Sequence, residues 1–279
     1  MRKGFVLAAL FGVLFSWQPW KAHAGEVVDV KSRGETVRIL VEKPKDRFDI
    51  IADRLIVAPK VVGVTVLFAG NTGVLALDGV GGIGLMENDF IVRSEDLLRE
   101  KGFITVIIDG PTDHPHNLNR FRGSEDHATD VAAVIALLRK KYGLPVWLIG
   151  SSRGTNSVAN AAARLQGPKG PDGIVLTSTM LEDNSVGDQV LYYNLGEIHI
   201  PVVIAHHRSD ECHLTPPDKV DDLVDALKNA KILAVLWYKG GRWNGQPCRA
   251  FHYHGFNGLE EQVVNDIAVA IKTTIPNAH

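Results

Sequence analysis

From residue 61 onward, apolar positions alternate between two spacings. Short, nearly unbroken apolar runs rich in β-branched residues occupy 61–68, 103–108, 146–149, 173–177, 201–205 and 232–237. Such runs suit strands buried on both faces, as in a parallel sheet. Between them, apolar residues recur every three or four positions: over 91–99, after Ser124 (Val131, Val134, Ile135, Leu137, Leu138), over 155–165, 217–229 and 259–271. That spacing predicts helices. Ser124 stands where an N-cap belongs, and Gly102 and Gly143 follow the helices they end. Ahead of residue 61, segments 27–30 and 36–41 predict an antiparallel hairpin turning at Arg33-Gly34-Glu35. Segment 44–59 fits neither period, and 179–200 is irregular, polar and too short for a large lid.

Strand starts lie roughly 25 to 45 residues apart. This alternation predicts an α/β fold: a doubly wound, mostly parallel sheet flanked by helices, with right-handed crossovers and no large cap domain. In such sheets chemistry gathers at the C-terminal ends of the strands.

The N-terminus has its own pattern. Met1-Arg2-Lys3, an apolar run over 5–15 and Ala22-His23-Ala24 together predict a secretory signal peptide, residues 1–24, cut before Gly25. The apolar run is short for a bilayer span, and an uncleaved anchor is the competing reading. The 279 residues less these 24 leave 255, with 27 Lys+Arg against 32 Asp+Glu and a net charge of −5. Residues 25–279 are therefore expected to form a single α/β domain in the periplasm or outside the cell, with no nucleic-acid or membrane partner. In an oxidising compartment Cys212 and Cys248 are expected to bond, the alternative being two buried thiols.

Candidate chemistry centres on Gly150-Ser151-Ser152-Arg153-Gly154, a G-x-S-x-G pattern between a strand and a helix. A sharp turn there would strain Ser152 and expose its hydroxyl, with the flanking glycines allowing close approach. The plainer reading is a tight turn using serine as a helix cap. A serine hydroxyl needs a base, and the base an orienting acceptor. Asp210 follows the strand 201–205, and His254 sits in Tyr253-His254-Gly255-Phe256 after the last strand. His252 competes as base and Asp109 as acid, while His206 and His207 could support the site or touch substrate. Asp113, His114 and His116 could hold a metal, but no partner pattern such as H-E-x-x-H accompanies them. No metal or cofactor is expected.

The turn, the order Ser152, Asp210, His254 and the His-Gly-Phe tail resemble the α/β-hydrolase superfamily over roughly residues 60–275. The resemblance is nearest to compact bacterial esterases and dienelactone-hydrolase-like proteins without a large cap. It implies that Ser152 is acylated, His254 acts as base and then acid, and Asp210 holds the imidazole. It also implies an oxyanion hole from the backbone N–H groups of Arg153 and of Asn71, in Ala69-Gly70-Asn71. The usual first residue of that loop is histidine, and here it is alanine. Dienelactone enzymes proper carry cysteine at the turn, and cutinase-like enzymes an aromatic or histidine before the serine and methionine after it. Here Ser151 and Arg153 fill those flanking positions. A bond between Cys212 and Cys248 would tie the Asp210 loop to the His254 loop.

Arg153 would favour an acidic or polar acyl group, or else lie on the surface. Tyr192, Tyr193, Trp243 and Phe256 are the expected apolar walls of an open pocket. The expected function is an exported serine hydrolase acting on small-molecule carboxylic esters. An amidase or peptidase with the same triad and an inactive hydrolase-fold binding protein are the alternatives.

Overall fold

The computed structural model describes residues 25–44, 49–51, 54–56 and 59–275. The expected signal peptide and its cleavage point at 24 lie outside the described residues. An eight-stranded sheet organises the rest. Its strands are β1 (Glu26–Ser32), β2 (Glu35–Glu42), β5 (Gly63–Phe68), β6 (Phe103–Pro111), β7 (Val146–Ser151), β8 (Gly173–Thr177), β9 (Val202–His207) and β10 (Leu233–Tyr238). Two short strands, β3 (Asp49–Ile51) and β4 (Arg54–Ile56), pair separately as an antiparallel hairpin within the segment that sequence periodicity left unassigned.

The spatial order is β1-β2-β6-β5-β7-β8-β9-β10. From β6 to β10 every neighbouring pair is parallel, and within the sheet β2 alone runs the other way. The β1–β2 turn is tighter than expected. Glu35 is already paired with Ser32, leaving Arg33 (φ 53°) and Gly34 (φ 90°) as the turn. Two residues at positive φ match the strand twist in a two-residue hairpin.

Alternation along the strands divides the core in two. Val64, Val66, Ile104, Val106, Val146 and Leu148 face α3 (Glu125–Tyr142), α4 (Gly154–Arg164) and α5 (Val220–Ala226). Leu67, Phe103, Ile107, Trp147 and Ile149 face α1 (Phe90–Arg93), α2 (Glu95–Glu100) and α6 (Glu260–Thr274). Successive side chains on a strand point to opposite faces, so one sheet serves both layers. The result is a doubly wound sheet flanked by helices. Among the described residues no separate cap domain stands over it, and 179–200 holds only short 3₁₀ turns.

Helix ends follow local chemistry. Ser124 Oγ accepts the His127 N–H at 3.0 Å, and Gly143 ends α3 in the left-handed region at φ 63°. The single helix expected over 91–99 is two: Ser94 leaves helical geometry, so that α1 packs on β5 and β7 while α2 packs on β6. The helix expected over 217–229 is shorter, with Pro217–Lys219 forming a 3₁₀ turn ahead of α5.

Candidate active site

At the end of β7 the backbone turns into α4 through Ser152, whose φ is +51°. A non-glycine residue held there stores roughly 1 kcal/mol or more of strain, so its neighbours must fix it. They do so with short contacts. The Ser152 N–H donates to Thr177 O (3.0 Å), and Ser152 O accepts from the Thr155 N–H (2.9 Å) and Thr155 Oγ1 (2.6 Å). A Cβ on Gly150 would lie 2.6 Å from Gly154 O, and one on Gly154 2.0 Å from Phe68 O. Both glycines are therefore steric requirements of the turn.

Asp210 lies beyond β9 and His254 beyond β10, 44 residues apart in sequence, yet His254 Nδ1 is 3.0 Å from Asp210 Oδ2. With its proton on Nδ1 the imidazole donates to the carboxylate, which leaves Nε2 for another partner. Thr215, which sequence reasoning did not single out, joins this pair. Its Oγ1 donates to Asp210 Oδ2 at 2.9 Å and lies 3.1 Å from His254 Nδ1. Asp210 Oδ1 accepts the Cys212 N–H (3.0 Å). Burial alone would raise the Asp210 carboxyl; the hydrogen bond from His254 and that group's charge outweigh it and hold it below its ordinary value. The His254 loop is anchored from two sides: Ser178 Oγ donates to His254 O (2.7 Å) and Arg93 Nη2 to Gly255 O (2.6 Å).

Ser152, His254, Asn71 and Arg153 all line one cavity of about 820 Å³. Among the described residues the backbone N–H groups of Asn71 and Arg153 have no acceptor. Asn71 itself sits at φ +45°. Its loop is held by groups invisible in the sequence. Asp89 caps α1 through the Ile91 N–H (3.1 Å) and also accepts the Gly70 N–H (3.0 Å); burial pushes its carboxyl above the ordinary value. Arg122, 2% exposed, donates through Nη2 to Ala69 O (2.9 Å) and Gly70 O (3.3 Å), and through Nη1 to Ser157 Oγ (2.9 Å) on α4. Burial, with the nearby Arg153 charge, pulls the Arg122 guanidinium down to about 10, still cationic at neutral pH.

The competing assignments go elsewhere. Asp109 spends its carboxylate on the N–H groups of Leu75 (2.7 Å), Leu77 (2.8 Å) and Gly110 (2.8 Å). His252 is buried with Nε2 3.6 Å from Glu211, not beside Asp210. His206 is fully buried and donates from Nε2 toward Thr215 O (3.0 Å), while His207 stacks on Tyr253. His114 stacks on Phe121, and Asp113, 3.1 Å from His114 Nδ1, also pairs with Arg33. Cys212 and Cys248 are bonded to each other, so their grouping with His213 offers no free thiolate.

The four expected wall residues do not line the cavity. Phe256 is buried against Phe90 and Tyr238 beneath the His254 loop. Tyr193 OH accepts from Asn156 Nδ2, and Tyr192, largely exposed, donates to Asp183. Trp243 is 65% exposed near His252. Leu85, Met86, Phe90, Pro247, Ala250 and Phe251 supply apolar lining instead.

No family model and no curated protein matches the chain. Solved structures do. A lidless α/β serine hydrolase from Xanthomonas campestris is similar over 92% of this chain and 98% of its own, at 17% identity and TM-score 0.55. An esterase from Pyrococcus furiosus is similar over 89% and 92%, at 11% identity and TM-score 0.59. An acylaminoacyl peptidase is similar over 89% of this chain but 41% of its own, at 14% identity and TM-score 0.58. The chain has the α/β-hydrolase fold.

Proposed function

We propose that this α/β-hydrolase-fold chain is an exported serine hydrolase that cleaves carboxylic esters through an acyl-enzyme. The observation that carries the reading is the buried His254–Asp210 hydrogen bond beside a cavity that also holds Ser152 in strained geometry. In this reading Ser152 Oγ attacks the ester carbonyl while His254 Nε2 takes its proton. Asp210 keeps the Nδ1–H tautomer and stabilises the imidazolium. The negative charge developing on the carbonyl oxygen is met by the N–H groups of Asn71 and Arg153. His254 then protonates the leaving alcohol, and a water activated by the same imidazole releases the acid.

Residues 25–279 act as one domain in the periplasm or the medium. The disulfide fits an oxidising compartment, and no helix among the described residues is long and apolar enough to cross a membrane. Among the described residues no cap domain covers the cavity, which suits a small-molecule ester.

A fluorophosphonate probe and paired p-nitrophenyl esters and anilides test the proposal. Wild type is expected to be labelled and to release p-nitrophenol from esters. Ser152→Ala abolishes labelling, and Asp210→Asn lowers kcat by about 10³–10⁴-fold while leaving the fold intact. Faster release from anilides would make it an amidase. A folded wild type that takes no label would make it a binding protein.

A further inference from the structure

Several arginines in this molecule are neutralised by a carboxylate. Arg33, Arg38, Arg93, Arg99, Arg120 and Arg139 each form an ion pair with a carboxylate. The two arginines that line the cavity differ: among the described residues neither Arg153 nor Arg249 has a side-chain hydrogen bond or an ion pair. Arg153 is half-buried, directly after Ser152. Arg249 is exposed, on the stretch 246–251 that also lines the cavity. The charge acting between Arg153 and the buried Arg122 is repulsive. A partly desolvated guanidinium without an acceptor is costly, and its planar fork matches a carboxylate with two parallel hydrogen bonds.

The acidic residues of the cavity do not fill this role. Asp89 has both oxygens engaged by backbone N–H groups, Glu211 stands beside His252, and Glu87 is exposed. The two positive groups that line the cavity, one of them directly after Ser152, therefore remain open to a ligand. We infer that Arg153 and Arg249 form a subsite for a carboxylate carried by the substrate, so that the preferred esters are anionic, with the charge a few carbons along the acyl chain from the reacting carbonyl. The inference rests on the ester-hydrolase reading and narrows its substrate class.

Three ethyl esters of equal chain length and different charge test it: monoethyl adipate, ethyl hexanoate and ethyl 6-aminohexanoate, followed by titration of released acid. Wild type is expected to favour the anionic over the neutral ester by about tenfold or more in kcat/KM, mostly through KM, and to turn over the cationic ester least. Added salt lowers the ratio. Arg153→Gln and Arg249→Gln each reduce the anionic-to-neutral ratio, together bring it near one, and Arg153→Lys keeps part of it. Because each ratio compares substrates on one variant, a general loss of turnover cancels.

A wild-type ratio near one, a preference for the cationic ester, or a ratio unchanged in the double variant overturns the subsite; hydrolysis of p-nitrophenyl butyrate then leaves the esterase reading standing. If no ester is turned over, the esterase reading fails, and calorimetry of adipate with Ser152→Ala decides the subsite alone. Binding weakened about tenfold by adding Arg153→Gln supports it, and no binding overturns it.

Discussion

Arg122 is a buried cation whose partners are carbonyls and a hydroxyl, and it joins the loop of Asn71 to the helix that follows Ser152. Replacing it with methionine fills the space but leaves those acceptors without a donor, at about 1–3 kcal/mol of stability. If the loop supplies an oxyanion donor, Arg122→Met also lowers kcat by about 10–100-fold with KM nearly unchanged, and Arg122→Lys recovers part of the loss. A fall in melting temperature with kcat intact would assign the residue to the fold alone. Its role was not legible beforehand, because the sequence places it in a polar loop and carbonyl acceptors leave no trace in a sequence. That Ser152, Asp210 and His254 each follow a strand was legible, since the apolar runs locate the strand ends.

His127 shows a different cost. It is buried between Phe68 and Phe121, and among the described residues neither ring nitrogen has a partner. Burial, aided by the Arg122 and Arg33 charges, pulls its pKa to about 3. The sign of the pH effect follows. The unfolded chain takes up this proton near pH 6.5 and the folded chain does not, so stability falls as pH drops from about 6.5 toward 3, by at most about 1.4 kcal/mol per unit. His127→Leu is expected to flatten the fall of melting temperature between pH 6.5 and 4. An unchanged slope would mean that the acidic residues alone set acid sensitivity.

At the scale of elements, the strand–turn–helix around Ser152 depends on glycine for space, whereas α3 ends on a glycine that needs only conformational freedom. Nothing lies within 4 Å of where a Cβ on Gly143 would be, while one on Gly154 meets the Phe68 carbonyl. Gly143→Ala should cost about 1 kcal/mol, and Gly154→Ala about 3 kcal/mol or more, with turnover lost in the second alone. Chemical denaturation of the two variants compares them directly.

The same contrast explains what could be read in advance. Buried parallel strands and amphipathic helices announce themselves by period, and the order from residue 61 was recoverable. The break at Ser94 was not, because it follows from packing α1 and α2 on different strands. Nor was the facing of aromatic residues in irregular segments. Phe256 turns into the core and Trp243 out to solvent, although both stand in one loop with similar composition. Hydrophobicity marks a residue as burial-prone, and tertiary packing chooses its direction.

Across the whole molecule, the Cys212–Cys248 bond closes a loop of 36 residues that contains α5 and β10. Cys212 also donates its N–H to Asp210, so the crosslink reaches the acid directly. Chain-entropy reasoning gives such a loop about 4 kcal/mol. The double variant Cys212→Ala, Cys248→Ala should melt well below wild type in non-reducing buffer and, if the loop fixes the Asp210–His254 contact, turn over more slowly at temperatures where it is fully folded. Equal melting and equal turnover would remove the bond from both roles.

The covalent ring has a further consequence for survival among proteases. Residues 239–247 form an exposed run inside it, the type of segment that proteolytic enzymes nick first. A single cut there separates Asp210 and His254 onto different polypeptides that remain linked through sulfur. The clipped molecule would migrate as one band until a reductant divides it in two.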